Sequence, residues 1–475
     1  MLFSQPTFLF AFLPLVLALH LVAPRPLRNP VLLAASLVFY AWGEGAFVLL
    51  LVASTAFHHV LGRSIVRARD DGRSVRGRLA LVVLFDLGLL FTFKYAPWVL
   101  AELHARFGGD LLGRASDWAS ASLHLPLGIS FFTFQAISFA VDLARRDAPA
   151  PRSAADFGLY VSLFPQLVAG PIVRYRDLAE QIFERTVDAA RFAEGARRFV
   201  IGLAKKVLVA DVVAGTADSV FALGPEALSP ALAWVGVLAY TLQIYFDFSG
   251  YSDMAIGIGL MLGMRLPENF LHPYVSRSIT EFWRRWHISL SSWFRDYVYI
   301  PMGGNQRGAL RTLVHLGLVF LLCGLWHGAA WTFVAWGALH GAALVVERIG
   351  VGRVLGWLPR PFGIAWTMLL VMLGWVLFRA ESFDRSVEMY RAMAGATGAL
   401  AHPLALHVDP REAAMLVLGV LLATPIVPAV ERTLDDADLG PIVPAGSAAW
   451  TVALLLVTIV GLAGQSHSPF LYFRF

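Results

Sequence analysis

The chain has almost no cysteine, few charges and no long polar stretch, and each shortage narrows what it is. Its single cysteine, Cys323, sits in an apolar run, so neither an intramolecular disulfide nor a cysteine-based metal site is possible. Only 15% of residues are charged and 57% are hydrophobic, against roughly 25% and 45–50% in soluble domains. No polar stretch is long enough to hold a second, soluble core, so 1–475 reads as a single integral membrane domain. The first residues, MLFSQPTFLFAFLPLVLALHLVAP, lack a basic flank and a small-residue cleavage site, and are expected to be a retained first helix. A phosphate-binding Walker loop and a G-x-S-x-G elbow are both missing, which argues against ATP hydrolysis and serine hydrolysis. Of thirteen histidines only His58 and His59 are close together, and adjacent residues face different sides of a helix. No metal is therefore expected, given the ligand sets that metals need.

What is present is hydrophobic length. Apolar runs of about 18 residues, enough to cross a bilayer core of about 30 Å, recur along the sequence. The expected class is an all-α polytopic membrane protein with about eleven or twelve transmembrane helices, plus re-entrant and interfacial helices. The net charge is +5, but arginines concentrate in a few loops, the pattern of cytoplasmic loops rather than of a nucleic-acid surface. Arg63, Arg67, Arg69, Arg73, Arg76 and Arg78 crowd the loop after the run 46–62, and Arg145, Arg146 and Arg152 follow the run 121–144. With Arg25 and Arg28 in an early turn, three loops agree that the N-terminus lies outside. The mixed-charge stretch 101–120 is expected as an outer loop. The side of the C-terminus stays open.

Several segments are irregular. Residues 156–171 are apolar but short, with Pro165 and a Gly170-Pro171 break, and suit a re-entrant segment. The run 230–262 contains Asp247, Ser249, Gly250, Ser252 and Asp253, which reads as a polar interruption. Such backbone is tolerated at membrane depth only where protein buries it or a cavity borders it. In 265–311, with seven arginines, Ile279, Trp283, Trp286, Leu290, Trp293 and Tyr297 recur at helical spacing, which predicts one amphipathic helix near the membrane surface. Single spans are expected over 362–379, 412–430 and 448–465.

Two histidines stand out. His327 lies between short apolar runs at 312–326 and 329–347, among Gly324, Gly328, Gly337, Trp326, Trp331 and Trp336. An ionisable residue in such a setting is costly and is by default a functional candidate. The bland alternative is a junction histidine bonded to a backbone carbonyl. Glycine removes bulk and tryptophan builds walls, as in a small-molecule pocket, and a dry imidazole stays neutral and fit to act as a base. His287 follows Trp286 on the apolar side of its block, where an interfacial anchor is the commoner role. His340 is a third polar candidate, with helix packing as its default.

The stretches LPLGISFFTFQAISFAVD (125–142), SLFPQLVAGPIVRYRDL (162–178), YFDFSGYSDMAIGIGLMLG (245–263), PENFLHPYVSRSITEFWRRWHISLSSWFRDYVYIPMGGN (267–305), LWHGAAWTFVAWGALHG (325–341), WVLFRAESF (375–383) and SPFLYFRF (468–475) carry more than physics does. Together they resemble the membrane-bound O-acyltransferase (MBOAT) family, in its branch of alginate O-acetylase membrane subunits. The core motifs span 125–383, and residues 1–120 and 390–465 match mainly in hydropathy. The resemblance implies a ring of transmembrane helices around a thin centre, with a tunnel that donor and acceptor enter from opposite sides. It implies that His327 is the family's essential histidine and His287 its second, facing the first across that tunnel. It further implies an acetyl thioester donor, with acetyl-CoA expected, and O-acetylation of an extracytoplasmic polysaccharide. The outer loops are too short to grip a polymer, so a periplasmic SGNH-type esterase-like partner is expected to take the acetyl group. The expected site is the bacterial inner membrane, with lipid as the solvent. D-alanyl transfer to teichoic acid shares both histidines and is the alternative within the enzyme class. A transporter or flippase of a polar substrate, using the polar stretch at 247–253, is the alternative outside it.

Overall fold

The computed structural model describes residues 1–436, 442–464 and 470–471. Every regular element among them is helical. Of the C-terminal match 468–475, only Phe470 and Leu471 fall within the described residues, as does all but the last residue of the expected span 448–465. Among the described residues, seven helices are long and apolar enough to cross a membrane, or eight if one bent pair counts as a span. The other runs behind the expectation of about eleven or twelve form shorter or less apolar helices, such as Phe8–Val22, Arg25–Glu44 and Ile129–Arg145. An all-α polytopic membrane fold stands.

The chain divides into two compact units, Met1–Phe199 with Met254–Pro267, and Val200–Asp253 with Glu268–Phe475. In the first, Phe3, Phe8, Phe12, Phe39 and Phe164 form a cluster of ring contacts. The apolar run at 156–171 becomes two short helices, Ala154–Ser162 and Phe164–Leu167, with every residue from 157 to 173 buried. Neither is long enough to span, as its length foretold. The arginine-rich loop is shorter than expected, because helix Phe47–Asp70 runs through Arg63, Arg67 and Arg69 and helix Arg76–Leu90 starts soon after. Arginine is a good helix former, so charge alone does not end a helix. The stretch 101–120 is likewise mostly helical, in Ala96–Phe107 and Asp110–Ser122.

Three other expectations are corrected. The run 230–262 is not interrupted: Pro230–Met261 is one continuous helix. Its acids do not break it because they have partners within the second unit. Lys206 Nζ lies 2.6 Å from Asp247 Oδ1 and 2.8 Å from Asp211 Oδ1, and Lys205 Nζ lies 2.6 Å from Asp253 Oδ2. The Leu471 N–H donates to Asp247 Oδ2 at 2.6 Å, and Lys206 Nζ stands over the Phe470 ring. The expected span 412–430 is two helices, Pro410–Leu422 and Ile426–Leu434, bent by 63°. Pro425 between them has no N–H to continue the ladder and disfavours helical backbone at Thr424. The aromatic block 279–297 is not one surface helix but two short buried ones, described below.

The Lys206 cluster yields a stability prediction. Lys206 and Asp247 are each almost wholly buried, at 2% and 3% side-chain exposure. Removing one partner of a buried pair strands the other charge, at a cost of about 3–5 kcal/mol. Lys206→Met is expected to lower the thermal unfolding midpoint of the detergent-solubilised protein strongly. The double variant K206M/D247L, which removes the stranded charge at Asp247, should recover part of the loss. A double variant no more stable than K206M would contradict this account.

Candidate active site

All residues of the candidate site belong to the second unit. The block that carries His287 begins with helix Ile279–Arg285. Ser278 caps it, its Oγ accepting from the Glu281 N–H at 3.0 Å. The buried Glu347 carboxylate also accepts from the Ile279 N–H at 2.6 Å, the Thr280 N–H at 3.0 Å and the Thr280 hydroxyl at 2.8 Å. The helix ends at Arg285, Trp286 is extended, and His287 takes φ 43° and ψ 54° before helix Ile288–Phe294 starts. A side chain other than glycine in that left-handed region costs about 1–3 kcal/mol and persists only where its surroundings impose it.

Asn269 is what imposes it. Its carbonyl accepts from the Ile288 N–H at 3.0 Å. Its side-chain Oδ1 faces the Ser289 N–H at 3.2 Å, the Ser289 hydroxyl at 2.8 Å and His287 Nδ1 at 3.1 Å. Its Nδ2 donates to Ser252 Oγ at 3.1 Å, on the long Pro230–Met261 helix. A backbone N–H can only donate, so the amide atom facing Ser289 is the oxygen. His287 Nδ1 must then carry the hydrogen. His287 lies outside the candidate spans and is fully buried. Burial holds its pKa well below the usual histidine range, at about 3. The ring is therefore neutral, and the Asn269 contact leaves the lone pair on Nε2. Phe248 meets it edge-on at 4.7 Å between ring centroids.

His327 is the last residue of helix Ala309–His327 and is 4% exposed. That helix and Trp331–Val346 form a hairpin whose backbones touch. A Cβ on Gly324 would stand 2.3 Å from the Phe333 carbonyl oxygen, and one on Gly337 would stand 2.4 Å from that of Phe320. Small residues at a membrane helix contact permit this approach. It sets His327 against Trp336 at 5.0 Å and Phe378 at 5.1 Å, all three rings in edge contact. Trp326 joins the two candidates, with its ring 4.9 Å from His327 and 6.1 Å from His287. Both histidines thus lie in one buried aromatic cluster. His340 packs into the same cluster, where its Nδ1 accepts from Trp283 Nε1–H at 3.3 Å, in keeping with its expected packing role. Among the described residues, no group of three or more His, Cys, Asp or Glu side chains is disposed to hold a metal.

The model of the membrane-bound O-acyltransferase family matches residues 36–355, two thirds of the chain and all of this cluster except Phe378. This chain belongs to the MBOAT family. It is an O-acyltransferase, and close relatives agree. It is 43% identical to "Probable alginate O-acetylase AlgI" of Azotobacter vinelandii over 507 aligned positions, covering 100% of both chains. It is 36% identical to the peptidoglycan O-acetyltransferase of Helicobacter pylori, over 84% of this chain and 80% of that one. It is 27% identical to the teichoic acid D-alanyltransferase of Bacillus subtilis, over 54% of this chain and 69% of that one.

Asn269 and Glu347 were not singled out in the sequence, and Ser252 was named only as part of a polar interruption. Asn269 is 18 residues from His287 and Glu347 is 68 from Ile279, so no local spacing links them.

Substitutions at Asn269 test the His287 tautomer. Asn269→Ala frees Nδ1 and the left-handed turn, and is expected to lower acyl transfer by about 10²-fold, as a misplaced positioning group does. Asn269→Asp keeps the acceptor but adds a charge that favours imidazolium, raising the pKa of His287. The neutral ring is then lost as pH falls through that higher value, so the acid limb of kcat/KM should move to higher pH than in the wild type. An unchanged pH profile in N269D would contradict the assignment.

Proposed function

We propose that this chain carries an acetyl group from a cytosolic thioester, acetyl-CoA, toward an extracytoplasmic alginate-like polysaccharide, with both compact units serving one acyltransferase. The observation that carries the reading is His327, buried at a helix end among Trp326, Trp336 and Phe378, with Trp326 also touching His287. The near-complete alignment with a relative named for alginate O-acetylation supports the acceptor class. The teichoic acid D-alanyltransferase aligns with a smaller part of the chain, so D-alanyl transfer is the weaker reading. The transporter alternative needed a polar break at 247–253, and those acids instead pair with Lys205 and Lys206 on a continuous helix.

In this mechanism His327 takes the proton of the acceptor hydroxyl as its oxygen attacks the thioester carbonyl. The new C–O bond forms, the C–S bond breaks, and the proton passes to the departing thiolate, so the histidine is regenerated. His287 positions the donor by accepting a hydrogen bond at Nε2, for instance from a pantetheine amide N–H. A neutral ring with its hydrogen on Nδ1 has nothing to donate from Nε2 to a developing oxyanion. The enzyme would sit in the bacterial inner membrane with its N-terminus periplasmic. A periplasmic SGNH-type partner would accept the acetyl group and pass it to the polymer.

Two measurements test this. His327→Ala, at wild-type abundance in the membrane, is expected to lower polymer acetyl content by about 10²-fold or more, and wild-type acetylation would remove His327 from the chemistry. The purified chain in liposomes, given acetyl-CoA and polymer, is expected to acetylate nothing until the partner is added. Polymer acetylation without a partner would overturn that part of the proposal.

A further inference from the structure

Far along the chain from the histidines, the first unit contains a cavity of about 430 Å³ that acyl transfer does not use. It lies where helix Phe47–Asp70 ends and the chain turns into helix Arg76–Leu90. His59, Arg63 and Arg67 recur at every fourth residue and so share one face of the first helix. Arg73 from the turn and Arg78 from the second helix complete the charged wall.

The charges in this wall are unbalanced. Arg73 pairs with Asp71, and Arg78 donates to the Ser64 hydroxyl at 2.7 Å and to the Ser74 carbonyl at 3.1 Å. The other nearby acid, Asp70, is engaged by Arg69 at 2.9 Å and Arg146 at 3.6 Å. Arg63 and Arg67 have no carboxylate within ion-pair distance among the described residues, and no acid borders the cavity. Like charges four residues apart on a helix repel, and a shared anion reverses the sign of that interaction. His59 Nδ1 is buried there with no hydrogen-bond partner among the described residues. The second helix starts with no acidic residue in its first turn, and its first N–H reaches only Ser74 Oγ, at 3.4 Å, so its positive end carries no anion.

The remaining lining residues are Ser64 and the apolar Val60, and exposed leucines continue along the second helix. Val60 borders the cavity and is 66% exposed, and Leu81 and Leu84, on the helix that Arg78 helps begin, are 49% and 68% exposed. These side chains belong to candidate membrane spans and face outward. A free phosphate would satisfy only the arginines. A phosphate that carries acyl chains also covers the exposed Val60, Leu81 and Leu84, and guanidinium groups grip phosphate oxygens in pairs. We propose that this cavity is a binding site for the phosphate headgroup of an anionic phospholipid.

The test uses the full-length chain in a mild non-ionic detergent, titrated with dioleoyl phosphatidylglycerol or dioleoyl phosphatidylcholine and read by native mass spectrometry and by thermal unfolding. Phosphatidylglycerol is expected to be retained and to raise the unfolding midpoint, and phosphatidylcholine is not. Arg63→Gln with Arg67→Gln should weaken phosphatidylglycerol retention about tenfold or more, while R353Q/R360Q, in the second unit, should leave it unchanged. If the double glutamine variant does not fold, R63K/R67K keeps the charge but loses the forked geometry, and should still bind measurably more weakly. Equal retention of the two lipids, or undiminished phosphatidylglycerol binding in both Arg63/Arg67 variants, would overturn the site. Displacement of the lipid by millimolar pyrophosphate, with pyrophosphate alone giving the same unfolding shift, would overturn the lipid assignment in favour of a soluble anion.

Discussion

A single buried amide, Asn269, holds the chemistry of the second unit in order. It is fully buried, and a buried polar group must find partners within the protein. Its partners are the Ser289 N–H and hydroxyl, His287 Nδ1 and Ser252. Satisfying that one side chain fixes three things together. It bends the aromatic block at His287, selects which ring nitrogen bears the hydrogen, and ties the block to the long helix that carries Asp247 and Asp253. The left-handed backbone at His287 is thus a consequence of a hydrogen-bond requirement rather than of local sequence preference.

The hairpin that presents His327 follows a different logic. There the constraint is steric, because Gly324 and Gly337 let two helix backbones meet where any side chain would collide with a carbonyl oxygen. His327 is therefore placed by main chain, whereas His287 is placed by a polar network. Trp326 lies against both rings, so the two modes of placement converge on one aromatic side chain.

These differences explain what could be read in advance. Membrane helices were legible because hydrophobic length is a local property, and His327 was legible because an imidazole between apolar runs is costly wherever it sits. The polar residues at 247–253 were misread as a break because their partners, Lys205 and Lys206, lie some forty residues earlier, and sequence does not reveal that such charges will meet. His287 looked like an interfacial anchor, and only the family motif marked it as a site residue. Helical spacing in its block was real, yet the block folds as two pieces, since periodicity does not register a partner that bends the chain from outside. Asn269 and Glu347 were invisible for the same reason.

Glu347 has a mechanical meaning. It stands just after helix Trp331–Val346, the second arm of the His327 hairpin, and its carboxylate caps the helix that leads into His287. It acts as a strut between the two histidine-bearing pieces. Loss of this one carboxylate would at once uncap the helix that leads into His287 and release it from the arm that follows His327.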